Sequence, residues 1–242
     1  ARYRLGKPPM LWLNGQPLTR EDWARHPANP FPDALKATMP GELVAKLVAQ
    51  KNPLADWTAW NDPANAGFDI SLREFLKAQG LSDEAIRLGN DVSPYYGTTA
   101  ADVSALMLEF NDGFVKAQFA VGPASLAVKG GNIRLAEGMA RLLKGDVLLG
   151  KEIVAITSTS ASATVHCREG SQFTARKVVS SLPFSTLRNV RILPGLQGAQ
   201  AQAVASLPYQ PLSMVFLTAT APFWDEDGLA PGMWTDGIAG NV

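Results

Sequence analysis

The chain has 242 residues, 46% hydrophobic and 18% charged, and its 22 basic and 22 acidic side chains cancel to a formal charge of zero. That composition excludes an intrinsically disordered chain and supplies no bulk attraction to nucleic acid or an anionic membrane. One cysteine, Cys167, excludes a disulfide framework or a cysteine-based zinc site, and no run of about 18 apolar residues marks a membrane span.

Scarce cysteine favours a cytoplasmic location over export. The opening Ala1-Arg-Tyr-Arg-Leu5 has neither an initiator Met nor the apolar centre of a signal peptide. The expectation is a chain cut from something longer.

Prolines at 8, 9, 17, 27, 30, 32, 40, 53 and 63 predict that regular structure is repeatedly interrupted over the first 69 residues. One helix is expected over 41–50, with Leu43, Leu47 and Val48 on one face and Trp57 and Trp60 packed over it. Ser71-Leu-Arg-Glu74 reads as a capping box opening a helix that ends at Gly80. Ser82 then caps a helix running to Leu88. Thr99-Ala-Ala-Asp102 reads as another helix start, and Val103, Leu106, Met107 and Phe110 after it form an apolar stripe for core packing.

Gly130-Gly131-Asn132 precedes a helix carrying Leu135, Met139, Leu142 and Leu143, with Asn132 as its cap and Gly145 as its stop. Three strand-like runs follow at 147–156, 163–167 and 173–182, with Glu169-Gly170 turning between the last two. A further strand is expected over 212–219, followed by Pro222-Phe-Trp224. The two histidines, His26 and His166, suit surface or packing roles. These elements predict an α/β (α+β) fold.

No self-contained active site is visible. The sequence has no phosphate-binding P-loop, no His-Glu-x-x-His, no Gly-x-Ser-x-Gly and no Gly-x-Gly-x-x-Gly. No pair of carboxylates is singled out for acid–base work.

Four segments carry a resemblance. They are Gly130-Gly-Asn-Ile-Arg-Leu-Ala-Glu-Gly-Met-Ala-Arg-Leu-Leu143, Val147-Leu-Leu-Gly-Lys-Glu-Ile-Val-Ala-Ile156, Ala175-Arg-Lys-Val-Val-Ser-Ser-Leu-Pro183 and Pro222-Phe-Trp224. In order and spacing they resemble the flavin-containing amine oxidases of the monoamine oxidase type. Residues 70–109 are similar to that family's helical insert.

The resemblance implies FAD as cofactor and an amine as small-molecule substrate, with hydride passing to flavin N5 and oxygen giving peroxide. It implies that main-chain groups of the strand around Ile153 read the adenine edge, with Ser181, Leu182 and Pro183 as a second contact. It places Met214 and Trp234 toward the substrate. It implies substrate-domain segments at 1–124 and 186–242 and a central FAD-domain segment at 125–185.

Met214 is a departure, since many members have there a lysine that holds a water near flavin N5. The family's dinucleotide fingerprint and closing segment are not in the sequence, so weak FAD binding by this chain alone is expected. Primary amine, polyamine and amino acid oxidases share these motifs, and Arg134 is a candidate for an amino acid carboxylate. Other two-domain flavoproteins, such as desaturases or protoporphyrinogen oxidase-like enzymes, and a non-catalytic binding module are the alternatives.

Overall fold

The computed structural model describes residues 10–94, 96–122, 128–218, 220–221, 232–237 and 240. The chain falls into two compact units, residues 1–123 with 210–242, and residues 124–209. Residues 186–209 therefore group with 124–185.

The first unit opens with a hairpin, β1 (Met10–Leu13) and β2 (Gln16–Leu18). Asn14 and Gly15 turn it with φ of 51° and 76°, the left-handed pair that a two-residue hairpin needs. β1 also pairs in parallel with Met233–Thr235, the last strand of the chain. Pro17 does not interrupt this sheet because β2 is its edge.

Helix α1 (Arg20–Arg25) starts with a reciprocal capping box of Thr19 and Asp22. A 3-10 turn at Pro40–Glu42 leads into α2 (Leu43–Lys51), whose Leu43, Leu47 and Val48 are buried as expected. The Ser71–Glu74 capping box opens α3 (Leu72–Ala78), and Ser82 caps α4 (Asp83–Ile86). The chain then widens into a π turn, Arg87–Asp91, that buries Leu88 and Asn90.

Thr99-Ala-Ala-Asp102 does not start the next helix. The Asp102 carboxylate instead accepts the Thr98 hydroxyl and the main-chain N–H groups of Thr98 and Thr99 and clamps a loop, and these bonds, the hydroxyl's foremost, hold its pKa down to about 2. Ser104 is the true cap of α5 (Ala105–Ala120). Val103 therefore precedes the helix, and the face rotates: Ala105, Leu106 and Glu109 are buried while Met107 is exposed. Trp57 and Trp60 pack on this helix rather than on α2, edge-on to Phe110 at 5.6 and 5.9 Å between ring centres.

The first unit's core gathers Leu11, Trp23, Phe31, Leu43, Leu76 and Ile86, all essentially inaccessible. Trp23 closes it with an N–H donated to the Thr38 carbonyl at 2.8 Å.

The second unit begins with Gly130 and Gly131, both at positive φ, before α6 (Ile133–Leu142). Asn132 itself adopts helical angles and its side chain does not cap the helix. The helix stops at Leu142, ahead of Gly145, and Leu135, Met139, Leu142 and Leu143 stand exposed rather than packed.

A four-stranded sheet follows, formed by β3 (Ile153–Ser158), β4 (Ala163–Cys167), β5 (Gln172–Ala175) and β6 (Arg191–Leu193), in the order β5-β4-β3-β6. Gly170, at φ 96°, turns β4 into β5 as the Glu169-Gly170 pair predicts. Helices α7 (Phe184–Leu187) and α8 (Gly198–Ser206) complete this unit with a small core of Leu187, Val190 and Val204. His166 bonds Thr157 Oγ1 at 2.9 Å, a packing role.

Three expected strands are shorter or absent. The run 147–156 is a strand only from Ile153. The run 173–182 is a strand only to Ala175, and Arg176–Pro183 has no regular structure. Residues 212–218 also form no strand and are exposed. The final strand of the chain, Met233–Thr235, is β7. Pro222-Phe-Trp224 lies outside the described residues.

Candidate functional site

The first unit contains a cavity of ≈ 460 Å³. Its lining mixes apolar Val44, Val48, Leu72, Val115 and Trp234 with polar Asn90, Asn111, Asp112 and Lys116. Each wall has a local cause. The π turn inserts one extra residue per turn and so points Asn90 inward, where it is only 5% exposed and donates to Asp91 at 2.8 Å. The spacing of Leu108, Asp112 and Val115 on α5 turns one helix face to the cavity.

Trp234 closes the far side from β7, with Gly41 beneath it: a Cβ on Gly41 would stand 3.1 Å from the indole.

Asp112 accepts from Asn52 Nδ2 at 3.1 Å and from Lys116 at 2.7 Å. One turn earlier lies Glu109, 3% exposed, its Oε2 without a partner among the described residues. Burial alone pushes its pKa up to about 7, because a dry surrounding disfavours the carboxylate.

The second unit holds the segments expected to meet a nucleotide. β3 is flanked by β4 along its length, but β6 pairs only with Ala155–Thr157. The β6-facing edge of Ile153 and Val154 thus has no strand partner among the described residues, and the ladder to β4 shifts register between Ile153 and Ala155. Ile153 and Leu182 pack against the same core of Leu187, Val190 and Val204.

Ser181 and Pro183 are exposed beside Leu182. They do not end a strand, since β5 stops at Ala175; Pro183 instead precedes α7.

The remaining candidates are placed as follows. Trp234 is a cavity wall in the first unit. Met214 is exposed and is not among the cavity residues, and with no strand at 212–218 the alternation linking it to Phe216 does not apply. Arg134 lies exposed on α6, paired with Glu137 at 3.3 Å. Reading the sequence passed over Asn90, Asp112 and Glu109. The available signal was a Glu three residues before Asp112 among Leu106, Leu108 and Phe110.

The family model described as flavin containing amine oxidoreductase matches residues 7–241. The chain belongs to this family. Its α/β (α+β) architecture agrees: the chain superposes on wild-type putrescine oxidase bound to putrescine with a TM-score of 0.58 at 21% identity, covering 98% of this chain and 53% of that one. Cyclohexylamine oxidase from Brevibacterium oxydans gives a TM-score of 0.61 at 18% identity, with 96% and 52% covered.

Among curated proteins, the flavin-dependent L-tryptophan oxidase RebO of Lentzea aerocolonigenes is 30% identical over 113 residues, which is 46% of this chain and 24% of that protein. The L-amino-acid oxidase of Gloydius halys is 27% identical over 112 residues, 45% and 22%. The chain thus spans about a quarter of the length of these relatives and about half of the solved chains.

The family's cofactor is FAD. The open main-chain edge at Ile153–Val154 fits a flat nucleotide ring, whose edge needs donors and acceptors of an extended backbone rather than a particular side chain.

Proposed function

We propose that this chain is part of an FAD-dependent oxidoreductase that oxidises the C–N bond of an amine. The observation that carries the reading is the backbone edge at Ile153–Val154, without a β6 partner among the described residues and packed on the same core as Leu182, in a chain of the flavin-containing amine oxidoreductase family. When bound, FAD supplies the hydride acceptor for the amine-bearing carbon, and oxygen takes the electrons on to peroxide.

The chain's own residues bind and orient. Main-chain groups at Ile153 hold the adenine edge, and Ser181, Leu182 and Pro183 border it, with the Ser181 hydroxyl exposed for a hydrogen bond. On this reading residues 125–185 are the central FAD-domain segment, and 1–124 with 186–242 belong to the substrate domain. The cavity of the first unit receives the amine. Its apolar lining residues, Trp234 included, exclude water and so favour the neutral amine from which hydride leaves. Met214, at the position where many members hold lysine, has no ammonium with which to order a water.

The putrescine and cyclohexylamine oxidases of similar fold support an amine as substrate. The test is to express the complete open reading frame that encodes this chain and screen amines for peroxide release. Peroxide with at least one amine, and none without amine, is expected. A purified protein holding no flavin would remove the basis of the proposal.

A further inference from the structure

The cavity of the first unit contains a hydrogen-bond donor that the fold leaves unused. Trp234 is only 7% exposed, and its indole N–H has no acceptor among the described residues. A buried indole ordinarily finds one, as Trp23 does in the same unit by donating to the Thr38 carbonyl at 2.8 Å. The Trp234 nitrogen is not closed off either: among the described residues only Glu109 Oε2 is both unpartnered and fully occluded. Trp234 lines the cavity, so its N–H opens there.

Gly41 keeps that donor accessible. It lies in the turn Pro40–Glu42 without a positive φ, so the backbone there does not demand glycine. Space does: a Cβ would stand 3.1 Å from Trp234 Cδ1 and 3.8 Å from Nε1, against the ring edge that bears the N–H. Gly41 lines the cavity as well. The other polar groups leave the choice of ligand to this donor. Asn90 donates to Asp91 at 2.8 Å. Asp112 and Lys116, the charged lining residues among those described, are bonded to each other at 2.7 Å. Asn111 offers donors and an acceptor alike and so selects for neither.

We infer that the Trp234 N–H is a specificity-determining donor, which takes an uncharged oxygen of the ligand, a carbonyl or an ether, in the space that Gly41 leaves. A hydrocarbon of the same shape leaves the N–H unbonded. A carboxylate is refused, because the Lys116 ammonium is already paired and a single indole N–H does not offset the desolvation of an anion. On the amine reading above, on which this rests, the substrate is therefore an amine that also bears an uncharged oxygen, and not an amino acid.

The test is NMR of the protein from the complete open reading frame, isotope-labelled at the tryptophan indole nitrogens, with the Trp234 signal assigned by its loss in Trp234→Phe. Three probes are titrated: acetophenone; α-methylstyrene, in which a methylene replaces the carbonyl oxygen; and benzoate. Acetophenone is expected to move the Trp234 indole proton downfield to saturation and to bind about three- to tenfold more tightly than the other two. Trp234→Phe keeps an aromatic wall and loses the preference for ketone over alkene. Gly41→Ala weakens acetophenone binding about three- to tenfold, while the remaining indole signals stay in place and report an intact fold. An indole proton unmoved by acetophenone, equal binding of ketone and alkene, tighter binding of benzoate, no loss in Gly41→Ala, or no binding at all overturns the inference. None of the probes has an amine to oxidise, so failure here leaves the oxidase reading standing, and the absence of flavin from the complete protein would leave this one standing.

Discussion

The chemistry of Glu109 departs far from what its type leads one to expect. Helix α5 buries it among apolar neighbours, so its proton is held to about pH 7 rather than the ordinary 4.5. The unfolded chain releases that proton earlier. Between these two values the folded state binds more protons, and stability falls as pH rises. Above both values the whole cost is present, on the order of 3 kcal/mol at most. Glu109→Gln keeps the shape and removes the titration. Urea unfolding is expected to give equal midpoints for both proteins near about pH 4 and a more stable variant near about pH 8. A variant less stable at the higher pH would show that Glu109 has a partner when ionised.

At the scale of elements, α5 is fastened to the segment containing Trp57 and Trp60 at its one internal glycine. A Cβ on Gly113 would stand 2.7 Å from the Trp57 Cβ. Gly113→Ala gains about 1 kcal/mol of helix propensity and loses about 1–3 kcal/mol to overpacking. Net destabilisation is therefore expected in thermal melts, and stabilisation would mean that Trp57 yields freely.

The local signals that sequence carries well are those closed within one turn. Ser71–Glu74, Ser82 and Glu169-Gly170 each sit where their spacing puts them. The Asn14-Gly15 hairpin and the Thr19–Asp22 box are equally local, but the prolines around them mask their signals. Thr99–Asp102 misled because a Thr-x-x-Asp clamp serves a loop as well as a helix start. The strand expected at 212–219 and the outer half of 173–182 needed neighbouring strands to pair with. No pattern within those segments reveals whether such neighbours are present. For the same reason the burial of Glu109 on α5 and the lack of a β6 partner at Ile153 and Val154 emerged only from three-dimensional placement.

At the scale of the whole molecule, each of the two units contributes one part of the proposed chemistry: a cavity in the first, an open strand edge in the second. Among the described residues the second unit's buried core cluster is Leu187, Val190 and Val204, while Leu142 and Leu149 are each 85% exposed. That much uncovered apolar surface is uncommon on a self-sufficient domain. It accords with a chain spanning about half of the solved structures of like fold. Family and cofactor were legible from the four sequence segments, two of which carry α6 and β3 of the second unit, and the fold class from the order of helical and strand-like runs.

The most direct measurement is anaerobic titration of the protein from the complete open reading frame with a primary amine, following flavin absorbance. Stoichiometric bleaching, reversed on admitting oxygen with one peroxide per flavin, is the expected result, since electrons from the C–N bond must reach the cofactor before oxygen does. Bound flavin that no amine bleaches would contradict amine oxidation while leaving the family intact.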